Sequence, residues 1–405
     1  MKANLAQHPL VKFKEFRIFF AGRMLSSIGD KFFTITLAWW IISQGHENSK
    51  LHLGILMALN ILPLVLLGSF MGTLADRFSR KKCMQLANFI RFSLISALTI
   101  LFFTDSLTIP LLYVMVFIIS SFVPLFESSA QSSLKSLSDE DSISQVVALN
   151  STSVYLSNIL GAMLGGVMIA LIGIGWALCF NAACYFFSFL LISFVGLSYK
   201  HGAIKEKYSE QLKEGFRFLR NNKPILYMLL IFAALNLFAA PLMLIIPMIV
   251  KFELKETANW LAFLDGSFAL GAGITAIILS FRKSYNKIYL IIFLALFAMG
   301  LLMVLVGYTP VKYVMITEFI AIGSTLAITN AIVLSLFQHN VPDDMKGRFF
   351  STQVSIVASV VPLAYLLNGL MAQSLSVQTI LLINGVMTIV SALPILFIPR
   401  ISNKI

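Results

Sequence analysis

Charged residues are scarce in this chain, and their scarcity excludes an ordinary water-soluble protein. Only 12% of the 405 residues are Asp, Glu, Lys or Arg, whereas 58% are hydrophobic. The mean hydropathy is +0.88. So few charged groups do not suffice to cover the surface of one or more soluble domains. We therefore expect most of the chain to lie in a lipid bilayer.

Cysteine and histidine are also rare, which argues against disulfides, metal centres and most catalytic constellations. The three cysteines, Cys83, Cys179 and Cys184, lie in apolar segments without a CxxC spacing, which predicts a role in helix packing. The five histidines are scattered over loops and helix ends, with no HExxH or similar motif. We expect no metal, no cofactor and no enzymatic activity.

The net charge of +12 does not indicate nucleic-acid binding. The basic residues lie in short loops between apolar stretches, where Lys and Arg orient helices in a membrane. Only Lys50, Lys251, Lys255 and Lys312 fall in the loops of one side, and Arg23, Lys31 and Arg91 fall inside spans. The other Lys and Arg residues share one side, which predicts that both termini are cytoplasmic.

The lengths of the apolar stretches predict twelve transmembrane helices, because crossing the hydrocarbon takes about 20 residues. Two sets of six are separated by a polar stretch, which gives an N-terminal six-helix bundle at 1–197, a cytoplasmic linker at 198–223 and a C-terminal bundle at 224–405. We thus expect an all-α membrane protein with two pseudo-symmetric bundles. The spans are expected near residues 16–43, 51–75, 84–103, 109–131, 145–170, 174–197, 224–250, 258–280, 287–307, 312–337, 347–372 and 376–398.

The two halves share an ordering of features, as expected of an internal repeat. Asp30 in helix 1 falls near the register of Asn236 in helix 7, and Asn60 in helix 2 corresponds to Asp265 in helix 8. Two matched halves with a substrate site between them are common in secondary transporters. Within the linker, an apolar stripe recurs at nearly helical spacing among lysines, which predicts an amphipathic helix on the cytoplasmic membrane surface. The stripe consists of Ile204, Tyr208, Leu212, Phe216 and Leu219.

The loop after helix 2 carries a family signature. Residues 72–82 read GTLADRFSRKK, which closely resembles the signature loop of the major facilitator superfamily, with Ser79 in place of the usual second glycine. Residues 212–220 (LKEGFRFLR), 341–348 (VPDDMKGR) and 26–30 (SSIGD) resemble its drug-, macrolide- and siderophore-exporting branch. The resemblance implies a conformational latch that involves Gly72, Asp76, Arg77, Arg80 and Arg348.

Helix 5 contains residues 161–166 (GAMLGG), which resemble the antiporter motif of the same superfamily. Ala162 stands where that motif has proline. Gly161, Gly165 and Gly166 are equally compatible with a plain helix-packing face, since small residues let membrane helices cross at close range.

Charges inside the membrane are costly, about 2.5–3.5 kcal/mol each on insertion scales, so each calls for a partner, a water-filled space or a function. Asp30 is our first candidate for the proton- or substrate-responsive acid, the alternative being a permanent pair with Arg23 or another base. Arg91 and Glu127 are expected to pair with each other, the alternative being a coupling role for Glu127. The full set of coupling candidates is Asp30, Arg23, Lys31, Glu127, Arg91, Asn236 and Asp265.

These features together predict a proton-coupled exporter of a small or amphipathic organic molecule that works by alternating access. We expect a monomer in the bacterial cytoplasmic membrane, with a small-molecule or lipid-like substrate, membrane lipids and protons as its partners. A lysophospholipid translocator and a solute uptake transporter remain alternatives. A non-transporting membrane sensor is the alternative from a different class of protein.

Overall fold

The computed structural model describes residues 8–197, 208–281, 287–308, 311–343 and 345–397. Within these ranges the chain is helical and contains no β-strand. Ten helices in the described part of the chain are long and apolar enough to cross a membrane. One of them, Ile143–Ser193, consists of two helices joined at Gly173, whose φ of 80° interrupts the helical backbone. With the more polar Lys14–Ser43, these make twelve spanning helices, as the sequence predicts.

We number the spanning helices α1 to α12. A single turn, Pro9–Lys12, precedes α1. The first six are α1 (Lys14–Ser43), α2 (Ser49–Arg77), α3 (Arg80–Phe103), α4 (Ile109–Ser121 and Val123–Ser133), α5 (143–172) and α6 (174–193). A 3₁₀ turn, Leu134–Ser136, extends α4.

A linker helix, Tyr208–Asn221, comes before the second six. These are α7 (Lys223–Ala239 and Leu242–Met248, with a π turn at Ile249–Glu253), α8 (Ala258–Ser280), α9 (Ile288–Tyr308), α10 (Lys312–Asn340), α11 (Lys346–Ser374) and α12 (Val377–Ala392, with a 3₁₀ turn at Leu393–Phe397).

Helix α4 is interrupted at Phe122, a break that the sequence analysis did not predict. Pro124 has no N–H to donate to the carbonyl of Ser120, so the regular hydrogen-bond ladder fails there. Just before it, the N–H of Phe122 bonds to Ile119 O at 3.3 Å, three residues back rather than the four of a regular α-helix. A new helix begins at Val123 and carries Glu127 in its second turn. Interrupted membrane helices often mark ligand sites in transporters.

The chain divides into two compact units. Unit 1 comprises Met1–Trp40 and Leu59–Lys205, and unit 2 comprises Ile41–Ala58 and Glu206–Ile405. The linker helix thus falls in unit 2. So do the end of α1 and the beginning of α2, although the sequence analysis placed them in the N-terminal bundle.

Each unit has a hydrophobic core near the helix ends that border the basic loops. In unit 1 this core includes Phe16, Phe19 and Phe126, all at most 1% exposed. In unit 2 it includes Leu219 of the linker helix with Phe337 and Phe349. The charged side chains of unit 1 lie on helices that this apolar packing holds in place.

Candidate functional site

Four charged side chains of unit 1 form two ion pairs. Arg91 Nη2 on α3 lies 2.6 Å from Asp30 Oδ1 on α1. Arg23 Nη2 on α1 lies 2.8 Å from Glu127 Oε2 on α4. The expected pairing of Arg91 with Glu127 was wrong, and Arg23 is not the base that binds Asp30.

Depth along the helices explains this pairing. Asp30 and Arg23 are seven residues apart, which separates them by about 10 Å along the axis of α1. Arg91 lies about three turns into α3 and meets the deeper acid, Asp30. Glu127 follows the break in α4 and meets the shallower base, Arg23. A direct pair between two residues on one face of α1 would need them one turn apart.

The four charges differ in how accessible they are. The side chains of Arg23 and Arg91 are only 1% and 0% exposed, whereas those of Glu127 and Asp30 are 38% and 32% exposed. The two acids are thus partly exposed, whereas the two guanidinium groups are buried. We expect the acids to face water rather than hydrocarbon, where a carboxylate would be strongly disfavoured.

Tyr185 of α6 completes the Asp30 site. Its hydroxyl donates to Asp30 Oδ1 at 2.9 Å, and its ring centre lies 4.9 Å from the Arg91 guanidinium carbon. The ring of Phe126 lies 6.0 Å from the same atom. Arg91 is thus held by an acid and by aromatic faces, an arrangement that favours a cation at low exposure.

A polar ladder connects this site to the neighbouring helices. Arg91 Nη1 donates to Ser26 Oγ at 3.2 Å, and Ser26 Oγ donates to Asn88 Oδ1 at 3.1 Å. Asn88 Nδ2 then donates to Ser188 Oγ at 2.8 Å, and Ser188 Oγ donates to the carbonyl of Gly22 at 2.6 Å. These bonds fix α1 against α3 and α6 at the level of the ion pairs.

Both arginines keep unused hydrogen-bond donors. Nε and Nη1 of Arg23 and Nε of Arg91 are buried and have no hydrogen-bond partner within the described part of the chain. Leaving a buried donor unsatisfied costs about 1–3 kcal/mol. The arrangement therefore leaves part of the bonding capacity of both guanidinium groups unused.

Asp30 faces charged or titratable groups on α1, α3, α4 and α6. Arg23 and Glu127 lie within electrostatic range, in addition to Arg91 and Tyr185. Cys184 lies next to Tyr185 within its electrostatic range, and Lys31 follows Asp30 directly on α1.

The glycines of the antiporter-like motif pack against α1 beside this site. A Cβ atom added to Gly161 would lie 2.9 Å from Lys31 Cβ and 3.0 Å from the carbonyl oxygen of Ile28. One added to Gly165 would lie 3.3 Å from Ile35 Cγ2. Gly166 and Ala162 are buried. These contacts support the helix-packing interpretation, and a role of the motif in antiport stays a prediction.

Arg80 and Arg348, two of the predicted latch residues, each have a local partner. Gly72 is not tightly packed, since an added Cβ would meet only Ser128 Oγ at 3.7 Å. Asp76 and Arg77 are exposed. Arg80 Nη1 donates to the carbonyl of Ser132 at 2.7 Å. Arg348 pairs with Glu214 of the linker helix at 2.6 Å.

The two candidates of the second half lie in unit 2 with separate partners. Asn236 Nδ2 donates to the carbonyl of Phe232 in its own helix at 2.8 Å, close to the break in α7. Asp265 is 5% exposed and lies within electrostatic range of Tyr365 on α11.

Sequence reasoning missed Tyr185, Ser26, Asn88 and Ser188 as members of the site. Their signal was weak but present: each is a polar residue in the middle of an apolar helix, where an unpaired hydrogen-bonding group is costly. Only the relative rotation of α1, α3 and α6 identifies their partners.

Comparison with known proteins places the chain in a transporter family. The family model described as transmembrane secretion effector matches residues 6–403. Macrolide efflux protein A of Streptococcus pyogenes is 23% identical over 387 residues, which cover 94% of each chain. The staphyloferrin A transporter of Staphylococcus aureus is 24% identical over 398 residues, covering 95% of this chain and 96% of the relative.

The fold also matches a solved structure. The crystal structure of a D-xylose–proton symporter has a TM-score of 0.72 at 12% sequence identity, covering 95% of this chain and 96% of the other. At this identity the match concerns the fold alone. With the family match over nearly the whole sequence, it leads to one assignment: the chain belongs to the transmembrane secretion effector family of the major facilitator superfamily and is a multi-pass membrane transporter rather than an enzyme.

Proposed function

We propose that this protein exports a small amphipathic organic molecule, preferably one with a single positive charge, in exchange for protons by alternating access. The observation that carries the proposal is the difference in exposure between the acids and the bases of the two ion pairs. Asp30 and Glu127 are partly exposed, whereas Arg91 and Arg23 are buried. A ligand that approaches this surface meets carboxylates first.

The charge balance makes a proton and a cation compete. The two ion pairs are neutral together, so either one bound proton or one bound monovalent cation raises their charge to +1. Binding both raises it to +2. At an effective dielectric constant of about 20, two positive charges about 8 Å apart repel by about 2 kcal/mol, which corresponds to roughly a thirty-fold loss of affinity for the second charge. Exclusion of this size is what exchange transport requires.

Protonation also gives a reason for a conformational change. A proton on Asp30 would leave Arg91 without its acid at 0% exposure, and breaking a buried ion pair in this way costs about 3–5 kcal/mol. Glu127 lies within electrostatic range of the same site and offers a second acid. A proton therefore binds best to a conformation in which Arg91 has another partner, and this differential affinity shifts the equilibrium between states.

One relative supports export as the direction of transport, since it is named a macrolide efflux protein. Another is named a staphyloferrin A transporter. The bacterial relatives support a site of action in the cytoplasmic membrane, and the distribution of Lys and Arg supports both termini in the cytoplasm. We expect the protein to work as a monomer.

Proton release from purified protein in weakly buffered detergent solution tests the proposal. Ethidium, a permanent cation, should release protons on binding, and its affinity should fall at least tenfold as the pH is lowered from 8 to 6. Carboxyfluorescein serves as an anionic probe and a lysophospholipid as a zwitterionic one. Asp30→Asn and Glu127→Gln should weaken the release, whereas the exposed loop variants Asp141→Asn and Glu140→Gln should behave as wild type.

Three other results would contradict the proposed proton-coupled export in different ways. Ethidium binding without proton release would contradict proton exchange at these acids. Proton release evoked only by the lysophospholipid would favour a lipid translocator. Accumulation of a probe driven by an inward proton gradient, in vesicles of known orientation, would favour an uptake transporter.

A further inference from the structure

We propose that the linker helix binds anionic phospholipid through an exposed face formed by Lys213, Phe216, Arg217 and Arg220. The partner is the membrane leaflet on the side of the basic loops, predicted to be the cytoplasmic leaflet. The proposal does not depend on which molecule the protein transports.

One side of the linker helix is fixed to α11 within unit 2. Gly215 lies so close to α11 that an added Cβ would fall 2.8 Å from the carbonyl oxygen of Arg348 and would overlap Thr352 Oγ1. Glu214 pairs with Arg348 at 2.6 Å. The ring of Phe218 meets that of Phe349 edge to face, with centroids 6.2 Å apart.

Because the linker helix is docked on α11, its apolar residues do not all face the membrane, as they would in a simple amphipathic helix. Leu219, which the sequence assigned to a membrane-facing apolar stripe, is 1% exposed and belongs to the hydrophobic core of unit 2. Phe216, assigned to the same stripe, is 52% exposed. The stripe is therefore divided between a protein contact and an outward surface.

The outward surface is compact. At about 100° per residue, Lys213, Arg217, Arg220 and Phe216 fall within an arc of about 100°. The docked residues Gly215 and Leu219 lie on the opposite side of the helix. All four outward residues are exposed, and Phe216 lies at the edge of the arc that is nearer to Leu219.

The linker helix lies close to the membrane. The linker helix ends at Asn221 and α7 begins at Lys223, so one residue separates the linker helix from a membrane span. Docking on the first turns of α11, at Arg348 and Thr352, holds it at that level. Three cations and one aromatic ring at this depth have the composition of an interfacial segment, with the ring among acyl chains and the cations at anionic headgroups.

The three cations predict a preference for anionic lipid. Each Lys or Arg near an anionic surface contributes roughly a fivefold gain in affinity. Because the linker helix is fixed to α11, lipid that binds this face also acts on the beginning of α11.

Fluorescence of Phe216→Trp in nanodiscs tests the contact directly. The variant is compared with wild type, whose four tryptophans supply the background. In phosphatidylglycerol discs we expect the additional emission to be blue-shifted and quenched by brominated acyl chains, and less so in phosphatidylcholine. Phe218→Trp, on the docked side of the same helix, is the matched control and should give the same emission in both lipids.

A second measurement uses the wild-type chain. Trypsin cleavage after Arg217 and Arg220 should be at least fivefold slower in phosphatidylglycerol than in phosphatidylcholine discs, and the difference should vanish at high salt, which screens exposed charges. Equal cleavage in both lipids would overturn the proposal. So would additional emission of the Phe216→Trp variant that aqueous iodide quenches in both lipids, since the face would then contact water or another protein.

Discussion

Arg91 is completely buried and holds Asp30 at 2.6 Å, yet a third of the Asp30 side chain remains exposed. The base of this pair is therefore shielded and its acid is accessible. An accessible acid exchanges protons or ligands without exposing its partner. The pair thus combines a fixed cation with a carboxylate that responds to its surroundings. Substitutions in this pair should therefore affect both stability and transport.

Asp30→Asn is expected to weaken proton-coupled transport and to destabilise unit 1. The substitution leaves the buried charge of Arg91 without an acid, which costs about 3 kcal/mol or more. Asp30→Asn combined with Arg91→Met should regain much of the lost stability but none of the transport, because Met removes the buried charge that Asp30→Asn leaves unpaired. Thermal unfolding in detergent and ethidium efflux measure the two effects separately. Equal destabilisation in the single and double variants would contradict this account.

Tyr185→Phe removes one hydrogen bond to Asp30 and keeps the ring that packs against Arg91. We expect a loss of about 1 kcal/mol in stability and a change in the pH profile of transport, since the environment of the acid changes. Tyr113→Phe, on the half-buried α4 position, is a suitable control. Transport with an unchanged pH profile in Tyr185→Phe would show that the hydroxyl has only a structural role.

Gly161→Ala should impair packing of α5 against α1, because the added methyl group would lie 2.9 Å from Lys31 Cβ. Introducing an extra group into a filled space costs about 1–3 kcal/mol. Gly68→Ala provides the control, since its methyl group would meet only Leu64 Cδ1 at an ordinary 3.6 Å. Thermal unfolding midpoints should fall for the first variant and stay near wild type for the second. Equal midpoints would mean that α1 shifts freely at this crossing.

Asp139, in the exposed ion pair with Lys12, is expected to stay ionised during transport. Hydrogen bonds from Lys12 and Ser142 lower the pKa of Asp139 from 3.8 to about 2. Because the folded pKa is lower, the pair stabilises the protein fully above about pH 4, and this contribution is lost as the pH falls towards 2. Asp139→Asn should therefore leave the shape of the transport pH profile between pH 5 and 8 unchanged. A shifted profile would show that this loop takes part in coupling.

The sequence by itself determined the number and positions of the spanning helices. A membrane requires about 20 apolar residues per span and leaves charges in the loops, so the boundaries of α3, α8 and α10 lie within a few residues of prediction. The family could be recognised from the sequence because its motifs are short, continuous stretches of the chain. These features are local, and no contact between distant residues is needed to recognise them.

Only the tertiary structure decided which charges pair, where α4 breaks and which side of the linker helix is free. Helical periodicity gives the angle of a residue around its own axis, but it leaves open the relative depth and rotation of neighbouring helices. Arg91 therefore had two possible acids in the sequence, and packing at the level of Tyr185 selected Asp30. In the same way, the close approach of Gly215 to α11 turned Leu219 inwards and left Phe216 outside.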